Sequence, residues 1–363
     1  MASFSIYVKS ILKSTRLGTT IRRRRWNKGI TSESGIRKLV QLKMKDKDVA
    51  NQEKVVEDIL DMALRYRFTA NEYFYYNFYE KSEEERKTFI SDLNRIDFCE
   101  RLNKAKNLAI FDDKMRSAQV FGKYYGRDVC DVKGIKDFDR FKSFVEKHKK
   151  FILKPLSGTC GQGIKILEVL GEEEELKQLL RLYTSNNREG FIAEELIVQV
   201  EETAKFHPAS VNTIRIATIM YDEGPEVWAA FFRTGRNNSV VDNAGAGGVF
   251  GTIDLDTGKI RAVADEEGCI YTNHPDTDIP MVGFTIPKWE EAKAMAKELA
   301  KIVKGNRYAG WDLALTEKGW IMVEGNARGQ FVWQIPDQKG WMPEVDKALK
   351  RLHLPAIKKL GTK

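Results

Sequence analysis

Residues 311–326 constrain this chain more than any other stretch. The run Trp311-Asp312-Leu313-Ala314-Leu315-Thr316-Glu317-Lys318-Gly319-Trp320-Ile321-Met322-Val323-Glu324-Gly325-Asn326 reads as two strands around a short turn. Each arm is rich in apolar and aromatic residues, and Gly319 stands where a three-residue loop needs a left-handed backbone. With Glu317-Lys318-Gly319 as the loop, Thr316 pairs with Trp320 and, counting outward, Asp312 lies opposite Glu324. Side chains alternate with period two, so Asn326 shares their face. Two carboxylates facing each other across a ladder repel, and a cation between them relieves the repulsion. Two carboxylates and an amide oxygen are hard ligands that suit Mg²⁺ or Mn²⁺ better than Zn²⁺. A register one residue different would turn one carboxylate to solvent instead.

A chain of 363 residues is too long for one small core and implies two or three subdomains. No run approaches the length of a membrane helix. Cys99, Cys130, Cys160 and Cys269 lie far apart without metal-type spacing and read as reduced thiols of a cytosolic protein. The charge is uneven. Residues 1–47 hold thirteen Lys/Arg against two acids, a local net of +11, which leaves −3 for the rest of a chain whose total is +8. That distribution argues against a nucleic-acid-binding body and marks a basic N-terminal arm. Within the arm, residues 4–17 suit a short amphipathic helix, followed by Arg22-Arg23-Arg24-Arg25-Trp26. Such a segment either rests on an anionic membrane surface, at its inner face, or packs as a solvated helix on the body.

From Asp48 to about Arg101 the apolar period is helical, and the aromatic run 69–78 reads as packing. Ser82-Glu83-Glu84-Glu85 has the form of a capping box. Asp112-Asp113-Lys114 opens another helix, Val129 to Val132 is a short strand, and Phe138 to Lys149 is helical. Phe151-Ile152-Leu153-Lys154-Pro155 is a buried strand, joined by the glycine-rich Ser157-Gly158-Thr159-Cys160-Gly161-Gln162-Gly163 to a returning strand, Ile164 to Val169. A helix from Glu172 to Tyr183 and a strand from Phe191 to Ile197 complete that unit. The remainder is strand-rich (213–221, 227–234, 249–255), with a helix at 287–303 before the hairpin.

A glycine-rich hairpin loop can lay backbone N–H groups on phosphate oxygens. Ser157 to Gly163 is neither a P-loop nor a dinucleotide fingerprint, because no Gly-Lys-Ser/Thr closes it and no helix follows. Lys154, inside an apolar strand, needs an anionic partner, and a phosphate is within its reach. Lys114 is a second candidate. Glu194-Glu195-Leu196-Ile197 offers backbone groups to an adenine edge, and Glu201 a carboxylate to ribose hydroxyls.

Taken in order, Phe151-Ile152-Leu153-Lys154-Pro155 with its glycine loop, Ala193-Glu194-Glu195-Leu196-Ile197 and Asp312…Glu324-Gly325-Asn326 resemble the ATP-grasp superfamily over roughly residues 110–335. Val211 to Arg215, Arg233-Thr234-Gly235, Asp242-Asn243 with Gly247-Gly248, and Gly310-Trp311-Asp312 are most similar to the sugar-transfer-associated group within it. The resemblance implies an α/β fold of the α+β kind, in which two α+β subdomains clamp ATP behind an N-terminal helical extension. It divides the chain into a basic arm and helical cap (1–110), a linking segment (111–150), a small subdomain with the glycine loop (151–204) and a large subdomain with the metal site (205–363). It implies that Lys114 and Lys154 bind the phosphates and that the loop, with Ser157, Gly158, Thr159, Gly161 and Gly163, closes over them. Glu194, Glu195, Leu196 and Ile197 would line the adenine site, with Glu201 at the ribose. Asp312, Glu324 and Asn326 would hold two Mg²⁺. The hinge position usually held by lysine is Glu195 here, and the substrate-binding N-terminal subdomain of the amino-acid ligases is not recognisable.

The implied chemistry is attack of a substrate carboxylate on the γ-phosphate of Mg-ATP, then attack of an amine on the acylphosphate, releasing ADP and phosphate. Positioning and cations dominate such reactions. Lys154, Arg215 and Arg328 are the catalytic candidates; Arg233, Arg236, Asp242 and Asn243 are candidates for substrate contact. Gln330 to Lys339, with Trp333, Gln334 and Asp337, follows the metal strand on the expected acceptor side. His207 reads more readily as structural. The leading expectation is a carboxylate–amine ligase acting on a sugar acid or surface-polysaccharide precursor. A kinase on the same scaffold and a non-catalytic nucleotide-binding module are the alternatives.

Overall fold

Helix-period runs fill the first third of the chain and strand-period runs the last, and the fold follows that division. The structure is a computed structural model that describes residues 32–46, 48–156, 163–186 and 190–357. The basic arm and most of the glycine-rich loop, including Ser157, Gly158, Thr159 and Gly161, lie outside the described residues.

The cap consists of α1 (Glu33–Lys43), α2 (Val49–Tyr66), α3 (Ala70–Tyr75), α4 (Glu83–Arg86) and α5 (Asp92–Leu102). Each starts where a side chain accepts from its first turn: Ser32, Asp48, Thr69, Ser82 and Ser91. Thr69 with Glu72 and Ser82 with Glu85 form capping boxes. Next come α6 (Ala105–Asp112), α7 (Lys114–Tyr125), β1 (Val129–Val132), α8 (Phe138–Lys147), β2 (Lys150–Pro155), β3 (Lys165–Glu168), α9 (Glu173–Asn186), β4 (Phe191–Glu195) and α10 (Glu201–Ala204). The large unit adds β5 (Thr213–Met220), β6 (Pro225–Thr234), β7 (Val249–Ile253), β8 (Ile260–Asp265), β9 (Ile270–Tyr271), α11 (Trp289–Ile302), β10 (Tyr308–Thr316), β11 (Gly319–Asn326), α12 (Gln334–Asp337) and α13 (Met342–Arg351). Strands β8 and β9 and helix α13 are not anticipated from the sequence patterns.

The strands form two antiparallel sheets, one in the order β1-β4-β2-β3 and one in the order β11-β10-β5-β6-β7-β8-β9. In the smaller sheet Phe151, Leu153, Phe191 and Ala193 share a core with Phe141 and Phe144 of α8 and Leu176 and Leu180 of α9. The larger sheet is covered on both faces. Ile214, Ile216, Phe232 and Leu313 pack on Ala292, Ala296 and Leu299 of α11. Ala217, Ile219, Ala229 and Tyr308 pack on the cap and α13. A register shift between Ala217 and Thr218 skips Trp228 of β6, so that Trp228 and Ala229 both pack toward the cap.

The 311–326 hairpin keeps its expected pair by a different route. The turn has two residues, Glu317 and Lys318, so that Thr316 pairs with Gly319 (φ 107°) and Leu315 with Trp320. A bulge at Val323 then restores the count, and Asp312 faces Glu324. The residue assigned to the loop is placed in the strand instead. The bulge sits one residue before Glu324, where it re-aims that side chain.

Candidate active site

Between the two sheets lies a cavity of about 800 Å³, within the range of small-molecule sites. Its lining brings together Lys114, Lys154, Glu194, Glu195, Leu196, Ile197, Arg215, Arg233, Asp242, Asn243, Asp312, Glu324, Asn326 and Arg328. Gly163, Glu201 and Arg236 are not part of it.

At one end two lysines converge. Asp113 caps α7 with its carboxylate on the N–H groups of Met115 (3.0 Å) and Arg116 (3.1 Å), which fixes Lys114 at the first helical position. Lys154 comes from β2, and its ammonium lies 2.9 Å from the buried carboxylate of Glu194 on β4. The anionic partner demanded by a lysine in an apolar strand is therefore supplied by the protein. Glu194 also pairs with Arg127 at 2.8 Å. Burial alone would raise the Glu194 carboxyl, but the charges of Arg127 and Lys154 reverse the effect and draw it down to about 2. Burial holds Lys114 below the usual lysine value, with Glu324 opposing and Lys154 reinforcing the shift. Two half-desolvated ammonium groups side by side form a strong anion site.

Ile152, Ile164, Ile166, Leu196 and Ile197 give the cavity an apolar wall beside the β4 backbone. Glu195 lines the cavity, yet its carboxylate accepts the Asp128 N–H at 3.0 Å. Glu201 is exposed at the start of α10, so the ribose role implied for it finds no support in this geometry.

In the middle, Asp312 is 1% exposed. Arg215 binds it in bidentate fashion, with Nη2 2.7 Å from Oδ2, and Arg233 Nη2 lies 3.0 Å from the same oxygen. Arg233 is also 3.0 Å from Asp242, whose carboxylate accepts from both the N–H and the hydroxyl of Thr213. Burial opposes ionisation of Asp312, but Arg215 and Arg233 hold its carboxyl below the usual aspartate range. Arg215 crosses the sheet over Gly310, where a Cβ would come within 3.2 Å of Arg215 Cδ. The positive charge that relieves Asp312 is thus arginine, and the anion sought for Arg215 is Asp312. Glu324 and Asn326 are left on the open face. The Asn326 side-chain nitrogen is buried and has no hydrogen-bond partner among the described residues; as a donor it cannot ligate a cation, and it is the Asn326 amide oxygen that suits one. A hard cation fits Glu324 and Asn326 directly and Asp312 through its charge.

Also on the lining, Arg328 lies 3.7 Å from Glu100 and 3.5 Å from Asp112, while its Nε and Nη2 make no hydrogen bond among the described residues. The turn that carries it hangs from α5 and its C-cap. Asn103 donates to the Ala327 carbonyl (2.8 Å), and Arg95 donates to the carbonyls of Arg328 (2.5 Å) and Gly329 (3.1 Å). Phe231, Val332 and Ala244 form the apolar side.

Several expectations fail here. Arg236 is held by Asp265 (3.2 Å) and Tyr271 (3.0 Å). Of the segment 330–339, Gln330 and Val332 line the cavity, whereas Trp333 and Gln334 are buried in the cap core and Asp337 binds Arg261. His207 is buried against Ser210 (2.9 Å), as a structural residue would be. Arg127, Arg95 and Asn103 were not foreseen. None lies on a recognisable motif, and Gly126, in the left-handed conformation at the end of α7, is the one local signal that the chain turns sharply before Arg127.

Compared with known proteins, the chain matches the family model of the sugar-transfer associated ATP-grasp proteins over residues 93–350. A search of the curated proteins found no match. Among solved structures, it resembles the ATP-grasp ligase PsnB complexed with minimal precursor, at 16% identity and TM-score 0.42, over 69% of this chain and 64% of that one. It resembles N5-carboxyaminoimidazole synthetase from Staphylococcus aureus complexed with ADP at 12% identity and TM-score 0.40, over 68% and 53%. The VanG D-Ala:D-Ser ligase from Enterococcus faecalis is similar at 14% identity and TM-score 0.44, over 69% and 64%. The match spans less than two thirds of each of these three proteins.

Proposed function

From the premise that the chain belongs to the sugar-transfer associated ATP-grasp family, we propose that it is an ATP-dependent, ADP-forming carboxylate–amine ligase. Its substrates in this reading are a sugar acid or surface-polysaccharide precursor and an amine. The observation that carries the reading is the polarity of the cavity. Lys114, Lys154 and a guanidinium with unused donors, Arg328, share its lining with Glu324 and Asn326, so cationic groups for phosphate and carboxylate stand beside ligands for a hard cation.

ATP would lie with its base against the Ile152, Ile164 and Leu196 wall and its phosphates at Lys114 and Lys154. Glu324 and Asn326, with Asp312 behind them, would hold Mg²⁺ or Mn²⁺, which when bound neutralises charge on the transferring phosphoryl group. Arg328 would take the substrate carboxylate and orient one oxygen toward the γ-phosphate. Its guanidinium neither accepts nor releases a proton, so it acts by position and charge. Arg215 and Arg233 keep Asp312 ionised, and Arg233 with Thr213 holds Asp242 in place behind the reacting groups. The buried apolar walls exclude the water that would hydrolyse an acylphosphate.

Calorimetric titration tests the nucleotide site. ATP is expected to bind in a Mg²⁺-dependent way, and Glu324→Gln to weaken that binding by about tenfold or more. Hydroxylamine trapping with a panel of uronic acids tests the chemistry. A hydroxamate that accumulates in step with ADP supports an acylphosphate. A stable phosphorylated product would instead favour a kinase. No helix among the described residues is long and apolar enough to cross a membrane. Peripheral contact through residues 1–30 is part of the proposal, and their deletion is expected to reduce binding to anionic liposomes while ATP binding persists.

A further inference from the structure

We propose that Arg127 is a positioning residue that couples the metal-facing strand β11 to the phosphate lysine Lys154, so that the two move into register as one unit when Mg-ATP binds. The inference rests on the nucleotide reading given above. Arg127 does not line the cavity, and its side chain is 2% exposed.

Its guanidinium contacts both sheets. On one side Nε donates to Glu194 Oε2 at 2.8 Å, the same oxygen that holds the Lys154 ammonium at 2.9 Å. On the other, Nη1 donates to the carbonyl of Met322 (2.7 Å) and Nη2 to that of Val323 (3.2 Å). Nη1 also reaches the Tyr125 carbonyl at 3.0 Å, and the guanidinium lies 4.4 Å from the centre of the Tyr125 ring. Met322 and Val323 are the residues at the β-bulge, where the ladder shifts by one just before Glu324. A bulge leaves backbone groups without ladder partners, and Arg127 accepts that role for the two carbonyls there. The link therefore runs Glu324, Val323, Arg127, Glu194, Lys154.

The local chain is built for this approach. Gly126 has φ 58°, and a Cβ on it would fall 2.4 Å from Ile321 Cγ2. Only glycine lets the end of α7 press against β11 closely enough for the next residue to reach the bulge. The planar, five-donor guanidinium is also the group that suits three separated acceptors at once. A lysine ammonium with the same charge lacks the reach and the geometry for both the carboxylate and the two carbonyls.

The test uses the full chain and three titrations: ATP with Mg²⁺, ATP without it, and adenosine, the last followed by ligand-observed NMR. Arg127→Lys keeps the charge beside Glu194 and gives up the carbonyls of the bulge. It is expected to weaken Mg-ATP by about tenfold to hundredfold, the size typical of residues that orient ligands from behind, and to shrink the gain in affinity that Mg²⁺ confers. Adenosine affinity should stay near that of the wild type. Adding Glu324→Gln to Arg127→Lys should cost little more than the worse single substitution. Equal losses for adenosine and ATP would reduce Arg127 to a structural brace, and no loss for either would remove it from the site; both outcomes overturn the proposal. If Arg127→Lys does not fold, Arg127→Gln is read by the same ratio of ATP to adenosine affinity. A wild-type protein that binds no ATP sinks the ligase reading and this inference together. A wild type that binds with unaffected variants sinks this inference alone.

Discussion

Asp312 and Glu324 face each other in the ladder, yet their surroundings give them different tasks. Asp312 is buried under two guanidinium groups, whereas Glu324 remains on the cavity wall. Removing one partner of a buried ion pair typically costs about 3–5 kcal/mol, because the remaining charges are left uncompensated. Asp312→Ala is therefore expected to lower the urea midpoint steeply, by an amount in that range. Glu324→Gln should change stability by less than about 1 kcal/mol while it removes Mg²⁺-dependent ATP binding. Equal stability losses in the two variants would contradict this division of labour. Glu194 adds a pH signature. Its carboxyl titrates at about 2 in the fold against 4.5 in the free residue. A depressed acid contributes stability above its unfolded value and loses it as pH falls through the folded one. About 3 kcal/mol should thus disappear between pH 4.5 and 2. Glu194→Gln should flatten that limb in denaturation measured at a series of acidic pH values.

Elements show what was legible in the chain and what was not. The apolar and aromatic alternation of 311–326 identifies both strands, because period two is imposed by the backbone itself. Turn length and bulge position are not imposed in that way. Here an expected three-residue loop becomes a two-residue turn plus a bulge, and the two differences cancel at Asp312 and Glu324. Lys154 is legible as a lysine that needs an anion, while the identity of that anion, Glu194, depends on which strands become neighbours. Arg127, Arg95 and Asn103 are illegible for a related reason: each acts by binding backbone carbonyls of a distant turn, and carbonyls leave no mark in a sequence. Capping is local and was readable at Ser82, but the second use of Glu72 was not. Its carboxylate accepts from Thr69 N–H (2.7 Å) at the start of α3 and from Asp92 N–H (2.6 Å) at the start of α5. Burial, with help from the charge of Asp92, lifts this acid to about 7. An acid raised on folding holds its proton longer in the native state, so stability falls as pH rises from 4.5 to 7. Wild-type urea midpoints are expected to drop between pH 5 and pH 8. Glu72→Gln should cost about 1 kcal/mol at pH 5 through the lost cap and should abolish the drop. A drop of unchanged size in the variant would assign the pH dependence to another group.

At the scale of the molecule, the cap is joined to the large sheet by one continuous core. Phe98, Trp228, Tyr308, Phe331 and Trp333 belong to a single cluster that includes residues of the cap, β6, β10 and the segment after β11. Gln334 links the same parts through its amide. Its oxygen accepts from Ile90 N–H (3.0 Å) and Trp341 N–H (3.1 Å), and its nitrogen donates to the Ile90 carbonyl (3.0 Å) and the Tyr76 hydroxyl (3.1 Å). The turn at 327–329, which carries Arg328 into the cavity, hangs from the C-terminal helix of the cap and is only as rigid as this joint. The smaller sheet, in contrast, has a core of its own. Unfolding is expected to reflect that arrangement. Trp228, Trp333 and Trp341 lie within 6.0 Å of one another in sequence along the joint, ring centre to ring centre, so their fluorescence reports on it directly. Gln334→Leu leaves both backbone groups of Ile90 and the Trp341 N–H without partners, at a cost of about 3 kcal/mol. If cap and large sheet form one cooperative unit, fluorescence and helical circular dichroism should shift together to lower urea in this variant. On the proposed roles, the affinity for a carboxylate at Arg328 should fall with them, while adenosine binding against the Ile152, Ile164 and Leu196 wall is retained below the transition. A fluorescence transition that separates from loss of the large sheet would show the cap to be a detachable module, and the coupling between cap and acceptor turn would then have to be abandoned.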